Sequence, residues 1–290
     1  MTRVGWIGLG AMGAPMAAVA AVDHDIVAFD INPSAAVALA DRGVTAASSV
    51  AEAAAGAEVL AVMVATEAQA EAVLFGESGA MAHLRRGSVV LVMATVGPDP
   101  VQRWAGVLAE RGVGLVDAPV SGGVARAGAG DLLIMASGAS GDVARVASLL
   151  RALARSAPVV GPVAGDGQKF KLVNQLLCGV HIAAAGEALA LAGSLGLDPR
   201  ECWEVIRHGA AASFMLDDRG QRMLDGDFDE VRSAIDIFVK DLGLVTSAGR
   251  AASAWTPMAE TAESLFRGAH DFGLGRKDDS AMVSFIRDAG

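Results

Sequence analysis

Three glycines and one acid near the start of this 290-residue chain stand at spacings that could hold a dinucleotide. Gly8, Gly10 and Gly13 form G-L-G-A-M-G, directly after the strand-like VGWI and directly before an apolar helix-like run. In such a turn the first glycine permits the tight reversal, the second lets backbone approach a pyrophosphate, and the third lets helix pack on strand. The phosphates then sit at the helix N-terminus. Asp30 closes the next strand-like run, IVAFD. A carboxylate there accepts a hydrogen bond from an adenosine ribose 2′-hydroxyl and repels a 2′-phosphate. Ile31, Asn32 and Pro33 bring no cation that could hold such a phosphate. The expectation is a site for NAD in preference to NADP. The plainer alternatives are a glycine-rich turn and a helix-capping acid. Against them stand the position at a first strand-to-helix turn and a βαβ unit of roughly 30 residues.

A second group could move a proton. In the stretch GDGQKFKLVNQLLCG, residues 165–179, Lys171, Asn174, Gln175 and Cys178 recur at i, i+3, i+4 and i+7, so a helix presents them as one narrow stripe. Phe170, Leu172, Val173, Leu176, Leu177 and Val180 form a wide apolar arc on the same helix. A solvated face ordinarily carries several charges of both signs, whereas this stripe holds one cation, two neutral amides and a thiol. It reads as the lining of a cleft. An alcohol yields a hydride to nicotinamide only if a base takes its proton, and a lysine can do so once its pKa falls towards neutrality. Burial, the positive end of a helix dipole and an oxidised nicotinamide all push that way. Asn174 could fix the lysine or a substrate oxygen. Spacing alone leaves a catalytic Lys171 and an ordinary surface lysine both open. Lys169 projects about 200° away from Lys171 and is expected to reach outward into solvent.

Two further segments carry candidate ligands. In DAPVSGG, residues 117–123, Ser121, Gly122 and Gly123 follow a strand-like run with a hydroxyl and uncovered backbone N–H groups. Such a turn can hold an anion the size of a carboxylate, or can simply be a glycine turn. In SAIDIFVKDLGL, residues 233–244, Lys240 either pairs with Asp236 at i, i+4 or reaches over an interdomain cleft towards a cofactor or substrate anion. There is no GxSxG elbow, no P-loop, no HExxH and no acidic metal cluster, and the five histidines are scattered; no metal site is expected.

The elements that must position these residues follow from periodicity. β-Branched runs (VGWIG, DIVAF, EVLAVMVA, SVVLVM, VGLVDAPV) alternate with Ala-rich runs (MGAPMAAVAA, PSAAVALADRG, EAQAEAVLFG, DPVQRWAGVLAERG). That alternation predicts βαβ units and a parallel sheet with helices on both faces. After APVVGPVAGDG the strand signal ends. Helices are expected over 168–194, 199–208, 233–250, 257–270 and 278–287, with the boundary between halves near residues 161–166.

A net charge of -10 and a pI near 4.9 argue against nucleic acid or an anionic membrane as partner. Cys178 and Cys202 show no disulfide or metal spacing, which fits a reducing compartment. The N-terminus enters a strand without the features of a secretory leader, and apolar stretches are too short to cross a bilayer or are interrupted by polar residues. A cytoplasmic protein is expected.

G-L-G-A-M-G, DAPVSGG, the GxGxxxKxxN pattern at Gly165, Gly167, Lys171 and Asn174, and FVKDLGL stand in the order and spacing of the β-hydroxyacid dehydrogenases, and the resemblance covers essentially the whole chain. It implies a Rossmann-type doubly wound α/β sheet over residues 1–164, binding the dinucleotide. An all-α C-terminal domain over 165–290 follows, joined by a long interdomain helix and serving substrate and oligomerisation. It implies Lys171 as catalytic acid/base, with Ser121, Gly122, Gly123 and Asn174 holding a small hydroxy acid. The glycine turn with Leu9 and Met12, Asp30, the Val64-Ala65 turn and Thr95 would touch NAD, and Lys240 would close over it. It also implies a homodimer or homotetramer. Gln175 stands where 3-hydroxyisobutyrate enzymes usually carry a second Asn. MVATEAQAEAVLFGE replaces a commoner Met-Leu-Pro turn, and the chain looks most like the L-threonate dehydrogenase branch. Oxidation of 3-hydroxyisobutyrate or reduction of tartronate semialdehyde are the alternatives within the family, and an NAD-binding sensor module is the alternative without turnover. An imine reductase on the same scaffold is disfavoured, because those relatives usually replace the lysine.

Overall fold

The computed structural model describes residues 1–289, which form two compact units, Met1–Lys171 and the residues from Leu172 on. The division falls inside one long helix. The first unit holds eleven strands: β1 Arg3–Ile7, β2 Asp25–Phe29, β3 Val44–Ala46, β4 Val59–Val62, β5 Val89–Val92, β6 Gly114–Asp117, β7 Val120–Ser121, β8 Leu132–Ile134, β9 Ala136–Ser137, β10 Ala154–Ser156 and β11 Val159–Gly161. Between them run α1 Gly13–Ala20, α2 Pro33–Val37, α3 Val50–Ala54, α4 Glu67–Phe75, α5 Pro98–Glu110, α6 Gly123–Gly128 and α7 Ser140–Leu153.

The main sheet has the order β11-β9-β6-β5-β4-β1-β2-β3. Its neighbours are parallel except β6 and β9, which meet antiparallel at Asp117 and Ser137. The stretch β3-β2-β1-β4-β5-β6 is the doubly wound order, with the chain reversing direction of travel beside β1. Strands β4 and β5, VLAV and VVLV, are buried at every residue, because helices cover both faces. Alternate residues feed two separate cores: Val89 and Leu91 join Val4, Trp6 and Ile26, while Val90 and Val92 join Ile7, Leu60 and Trp104. A small sheet, β10-β8-β7, carries Ser121 opposite Leu133. The segment DLLIMASG therefore splits: β8 pairs with β7, and β9 joins the main sheet.

The helices from here on are α8 Asp166–Ser194, α9 Pro199–Ile206, α10 Phe214–Asp225, α11 Ile235–Ala251, α12 Pro257–Ala269 and α13 Met282–Ala289. The second unit's core gathers Ile182, Trp203, Phe238, Leu242, Phe266 and Met282, with the Phe238 and Phe266 rings stacked at 5.1 Å. Helix α10, with the charge-rich sequence FMLDDRGQRMLD, lies outside the helices expected from the sequence. Its inward arginines are neutralised: Arg219 forms a bidentate pair with the fully buried Asp279 at 3.0–3.1 Å, and Arg222 pairs with Asp278 at 2.5 Å. Bidentate, charge-assisted bonds of this kind let α10 bury its polar side. By length and composition α8, 29 residues with a mean hydropathy of 1.6 in its most apolar window, could also cross a membrane.

Candidate active site

The glycine turn between β1 and α1 has the geometry its spacing requires. Gly8 has φ +96, and a Cβ there would lie 2.3 Å from the Met63 carbonyl oxygen. A Cβ at Gly13 would lie 2.1 Å from the Gly8 oxygen, so helix and strand touch through bare backbone. At Gly10, by contrast, a Cβ would meet no heavy atom within 4 Å. The turn is closed behind Gly8 and Gly13 and open in front of Gly10, which fits a pyrophosphate lying against backbone N–H groups at a helix start. Asp30, just past β2, is held at the same place: its Oδ2 accepts from Leu9 N at 2.7 Å and its Oδ1 from Asn32 N at 2.8 Å. A carboxylate has about four acceptor positions, so two remain for ribose hydroxyls. Ile31 beside it is 87% exposed and no basic side chain follows before α2. The residues present therefore fit NAD.

Two loops follow at the same sheet edge. Val64 and Ala65 follow β4, and the Gln69 side chain accepts from Ala65 N and Thr66 N while Thr66 caps Gln69 N. This capping box fixes the MVATEAQ turn without the usual proline. Thr95 lies half-buried in the loop from β5 to α5. Beyond β7, Gly122 (φ +141) and Gly123 (φ +77) open into α6, and a Cβ at Gly123 would meet nothing within 4 Å. The turn after Ser121 thus exposes backbone at the edge of the small sheet.

The residues that tie these loops together carry no motif of their own in the sequence. Asp117, at the end of β6, and Gln168, in the first turn of α8, are both 0% exposed. Gln168 Nε2 donates to Asp117 Oδ1 at 2.8 Å and to the Ala94 oxygen at 3.0 Å, while its Oε1 accepts from Val96 N and Gly97 N at 2.9 and 3.0 Å. Asp117 Oδ2 accepts from Gln168 N at 2.8 Å, and the Ser137 hydroxyl caps Gly167 N at 2.9 Å. Burial pushes the Asp117 carboxyl up to about 6, against the pull of these donors. Nothing local in the sequence joins residues 94, 117, 137 and 168; only the fold does.

Along α8 the stripe named above is largely enclosed. Lys171 is 6% and Gln175 5% exposed, and Asn174 and Cys178 are half-buried. The apolar arc is divided: Leu172 is buried, whereas Phe170, Val173 and Leu177 are 52%, 65% and 50% exposed. Lys169 points outward to pair with Asp166 at 2.9 Å. In the second unit Asn174 Nδ2 donates to Gln175 Oε1 at 2.9 Å, and Gln175 Nε2 donates to Asp241 Oδ2 at 2.5 Å. Lys240 Nζ donates to Asp241 Oδ1 at 2.6 Å. Gln175, Asp241 and Lys240 form one polar chain across α8 and α11. The i, i+4 partner of Lys240, Asp236, instead faces His270 Nδ1 at 2.6 Å, a carboxylate contact that raises the imidazole pKa. Among the described residues no group of His, Cys, Asp and Glu could hold a metal ion.

Comparison with known proteins divides the chain a few residues before the break between its two compact units. The family model for the NAD binding domain of 6-phosphogluconate dehydrogenase matches residues 3–161, and that for the NAD-binding of NADP-dependent 3-hydroxyisobutyrate dehydrogenase matches residues 165–286. An L-threonate dehydrogenase of Cupriavidus necator is 40% identical, over 98% of this chain and 96% of its own length. One from Escherichia coli K12 is 38% identical, over 98% and 94%. A crystal structure of a 3-hydroxyisobutyrate dehydrogenase from Salmonella typhimurium superposes with a TM-score of 0.93 at 37% identity, covering 98% of this chain and 99% of that one.

Proposed function

The chain belongs to the β-hydroxyacid dehydrogenase family, nicotinamide-dependent oxidoreductases of hydroxy acids, and on that premise we propose that Lys171 is its acid/base and a short sugar acid of the L-threonate kind its substrate. The observation that carries the first part is the burial of Lys171. Lysines are seldom enclosed to this degree, and this one is 6% exposed in the first turns of a helix whose next turn carries the neutral amide of Asn174.

Oxidation of the substrate's 2-hydroxyl removes a hydride from carbon and a proton from oxygen, leaving a 2-oxo acid. Bound NAD supplies the hydride acceptor. Lys171 takes the hydroxyl proton on its side-chain nitrogen, and Asn174 holds the same oxygen by donating to it in exchange for its 3.3 Å contact with Cys178 Sγ. Ser121 and the backbone of Gly122 and Gly123 hold the carboxylate, for which a φ-positive turn with open backbone is suited. Leu9, Met12, Val64, Ala65 and Thr95 contact the cofactor with the glycine turn, and Lys240 supplies a cation held in place by Asp241. Similarity to L-threonate dehydrogenases over nearly the full length supports the substrate reading.

An absorbance screen for NAD reduction with L-threonate, D-erythronate, 3-hydroxyisobutyrate, D-glycerate and L-serine tests it. L-Threonate is expected to give the highest kcat/KM; a tenfold or greater preference for 3-hydroxyisobutyrate would overturn the substrate reading. NAD binding without turnover of any of them, or of tartronate semialdehyde with NADH, would favour a sensor module.

We also propose a homo-oligomer built on α8. Phe170, Val173, Leu177, Ala184 and Leu191 are exposed at successive spacings of three, four, seven and seven residues, which draws one apolar line along the helix. A second copy of the same helix could cover it. Leu177→Lys is expected to shift sedimentation at micromolar concentration from a dimer or larger species to a monomer, and a wild-type chain that sediments as a monomer would end this reading. Cys178 and Cys202, neither of them in a disulfide, suit a reducing compartment, the cytoplasm.

A further inference from the structure

We propose that Gln168 and Asp117 are positioning residues for the reaction: together they lock the helical turn that carries Lys171 to the 94–97 loop that carries Thr95. The inference rests on the reading of Lys171 as acid/base and of Thr95 as a cofactor contact.

Both hydrogens and both acceptor positions of the Gln168 carboxamide are used, and they reach three separate places: the Ala94 carbonyl, the Val96 and Gly97 amides, and the Asp117 carboxylate. The amide orientation follows from its neighbours. Two N–H donors face Oε1 and two acceptors face Nε2, so a flipped amide would oppose like to like at all four contacts. No other side chain of this length can give two hydrogen bonds and receive two here. Lys171 follows three residues later on the same helix, one turn away.

Asp117 completes the lock. The first amides of a helix have no partner within it; Gln168 N is met by Asp117 Oδ2, and Gly167 N by the Ser137 hydroxyl. The fit is close, since a Cβ at Gly167 would stand 2.4 Å from the Met135 oxygen and 2.9 Å from Asp117 Oδ2. A cap alone needs much less: an exposed Ser or Asn would satisfy the same amides. A fully buried carboxylate costs desolvation, and that arrangement is understandable when the helix start has to be held in one place. Displacement of a catalytic group by about 1 Å can lower turnover about a hundredfold, and sites keep such tolerances through dry, fully satisfied hydrogen-bond networks behind the reacting side chain.

Reciprocal exchange separates positioning from mere stability. Asp117→Asn replaces one of two acceptors by an NH2, which then opposes either Gln168 Nε2 or Gln168 N. Gln168→Glu sets carboxylate against carboxylate. The double variant restores a donor facing an acceptor at the 117–168 contact and still receives Val96 N and Gly97 N, but it sets the new carboxylate oxygen against the Ala94 carbonyl oxygen, so the relief is partial. Each single variant of the full-length protein is expected to lower kcat with L-threonate, or with the best acid of the screen, roughly ten- to a hundredfold, on the scale of such displacements. The Kd for NAD should stay within about threefold of wild type, and the double variant should exceed either single variant in kcat by about threefold or more. Assays are run well below each variant's Tm. If Gln168→Glu does not fold, Ser137→Ala, which removes the cap on Gly167 N and the hydroxyl's longer bond to Asp117 Oδ2 at 3.4 Å but leaves Gln168 untouched, is read in its place against Asp117→Asn.

Unchanged kcat in the single variants would overturn the proposal. So would a loss of kcat matched by an equal loss of NAD affinity and not relieved by the exchange, which is the signature of a stability cap. Amide hydrogen exchange over residues 166–172 distinguishes failure of the lock from failure of the Lys171 reading. If Lys171→Ala keeps its turnover while exchange in Asp117→Asn still accelerates, the base has been misassigned and its positioning role falls with it. If exchange and turnover are both as in wild type in Asp117→Asn, the lock itself is wrong.

Discussion

Lys171→Ala is expected to lose roughly 10²–10⁴ in kcat, the range by which a positioned acid or base accelerates a proton transfer, while its Kd for NAD stays within a few-fold of wild type. Lys171 and the glycine turn belong to different steps. The turn at Gly8, Gly10 and Gly13 offers backbone to a pyrophosphate, and nothing in that contact requires an amine on α8. Lys171→Arg is the sharper variant, because it keeps the positive charge and the donors but cannot release a proton near neutral pH. If Lys171 served only to attract the substrate carboxylate, Arg would restore much of the activity and the penalty would appear in KM. If it moves the proton, Arg is as inactive as Ala and the penalty is in kcat. Steady-state kinetics on the two variants, with calorimetry for NAD binding, decides between these outcomes. A Lys171→Ala enzyme that retains more than about a tenth of its turnover would remove the residue from its role.

What was legible in the sequence and what was not divides along the range of the interactions. The βαβ alternation and the glycine turn are local patterns, and the main strands and α1 stand where they place them. Strands β7 to β11 are two or three residues long, too short to show alternation, so the small sheet and its connection to DAPVSGG had no signature. Helix α10 escaped for another reason. Its inward arginines, Arg219 buried and Arg222 half-buried, are acceptable only because Asp278 and Asp279, some 60 residues on, arrive to neutralise them, and periodicity is blind to that partner. On α8 the helical wheel grouped Lys171, Asn174, Gln175 and Cys178 correctly as a face, since 3.6-residue spacing is a property of the helix alone. Which faces are covered is a property of what lies against it, and Phe170, Val173 and Leu177 remain half or more exposed. Gln168 shows the limit most clearly. In sequence it is one polar residue at a helix start; in the fold it meets residues 51 to 74 positions away and uses every hydrogen-bonding position it has.

Asp30 carries the second large expected effect, on the choice of cofactor. The family model matching residues 165–286 is described by an NADP-dependent enzyme, yet the end of β2 in this chain argues for NAD. Leu9 N and Asn32 N hold the Asp30 carboxylate in place, so it cannot swing aside for a 2′-phosphate without leaving two backbone amides unsatisfied. The wild-type protein is therefore expected to show at least tenfold higher kcat/KM with NAD than with NADP. Hydrogen bonds to a charged group contribute about 1.5–3 kcal/mol, or roughly ten- to a hundredfold. Asp30→Ser should lower kcat/KM for NAD by that order while relieving the repulsion that excludes NADP. Removing the carboxylate supplies no cation, so the single variant should use both cofactors poorly. Ile31, 87% exposed directly beside it, is where a cation can be introduced without disturbing the core, and Asp30→Ser combined with Ile31→Arg should invert the preference. Parallel kinetics with the two cofactors on wild type, single and double variants test each link. A wild-type enzyme with the higher kcat/KM for NADP would mean that the 2′-phosphate is received elsewhere and that Asp30 has another role, and a double variant that still prefers NAD would mean that residues beyond this turn set the selectivity.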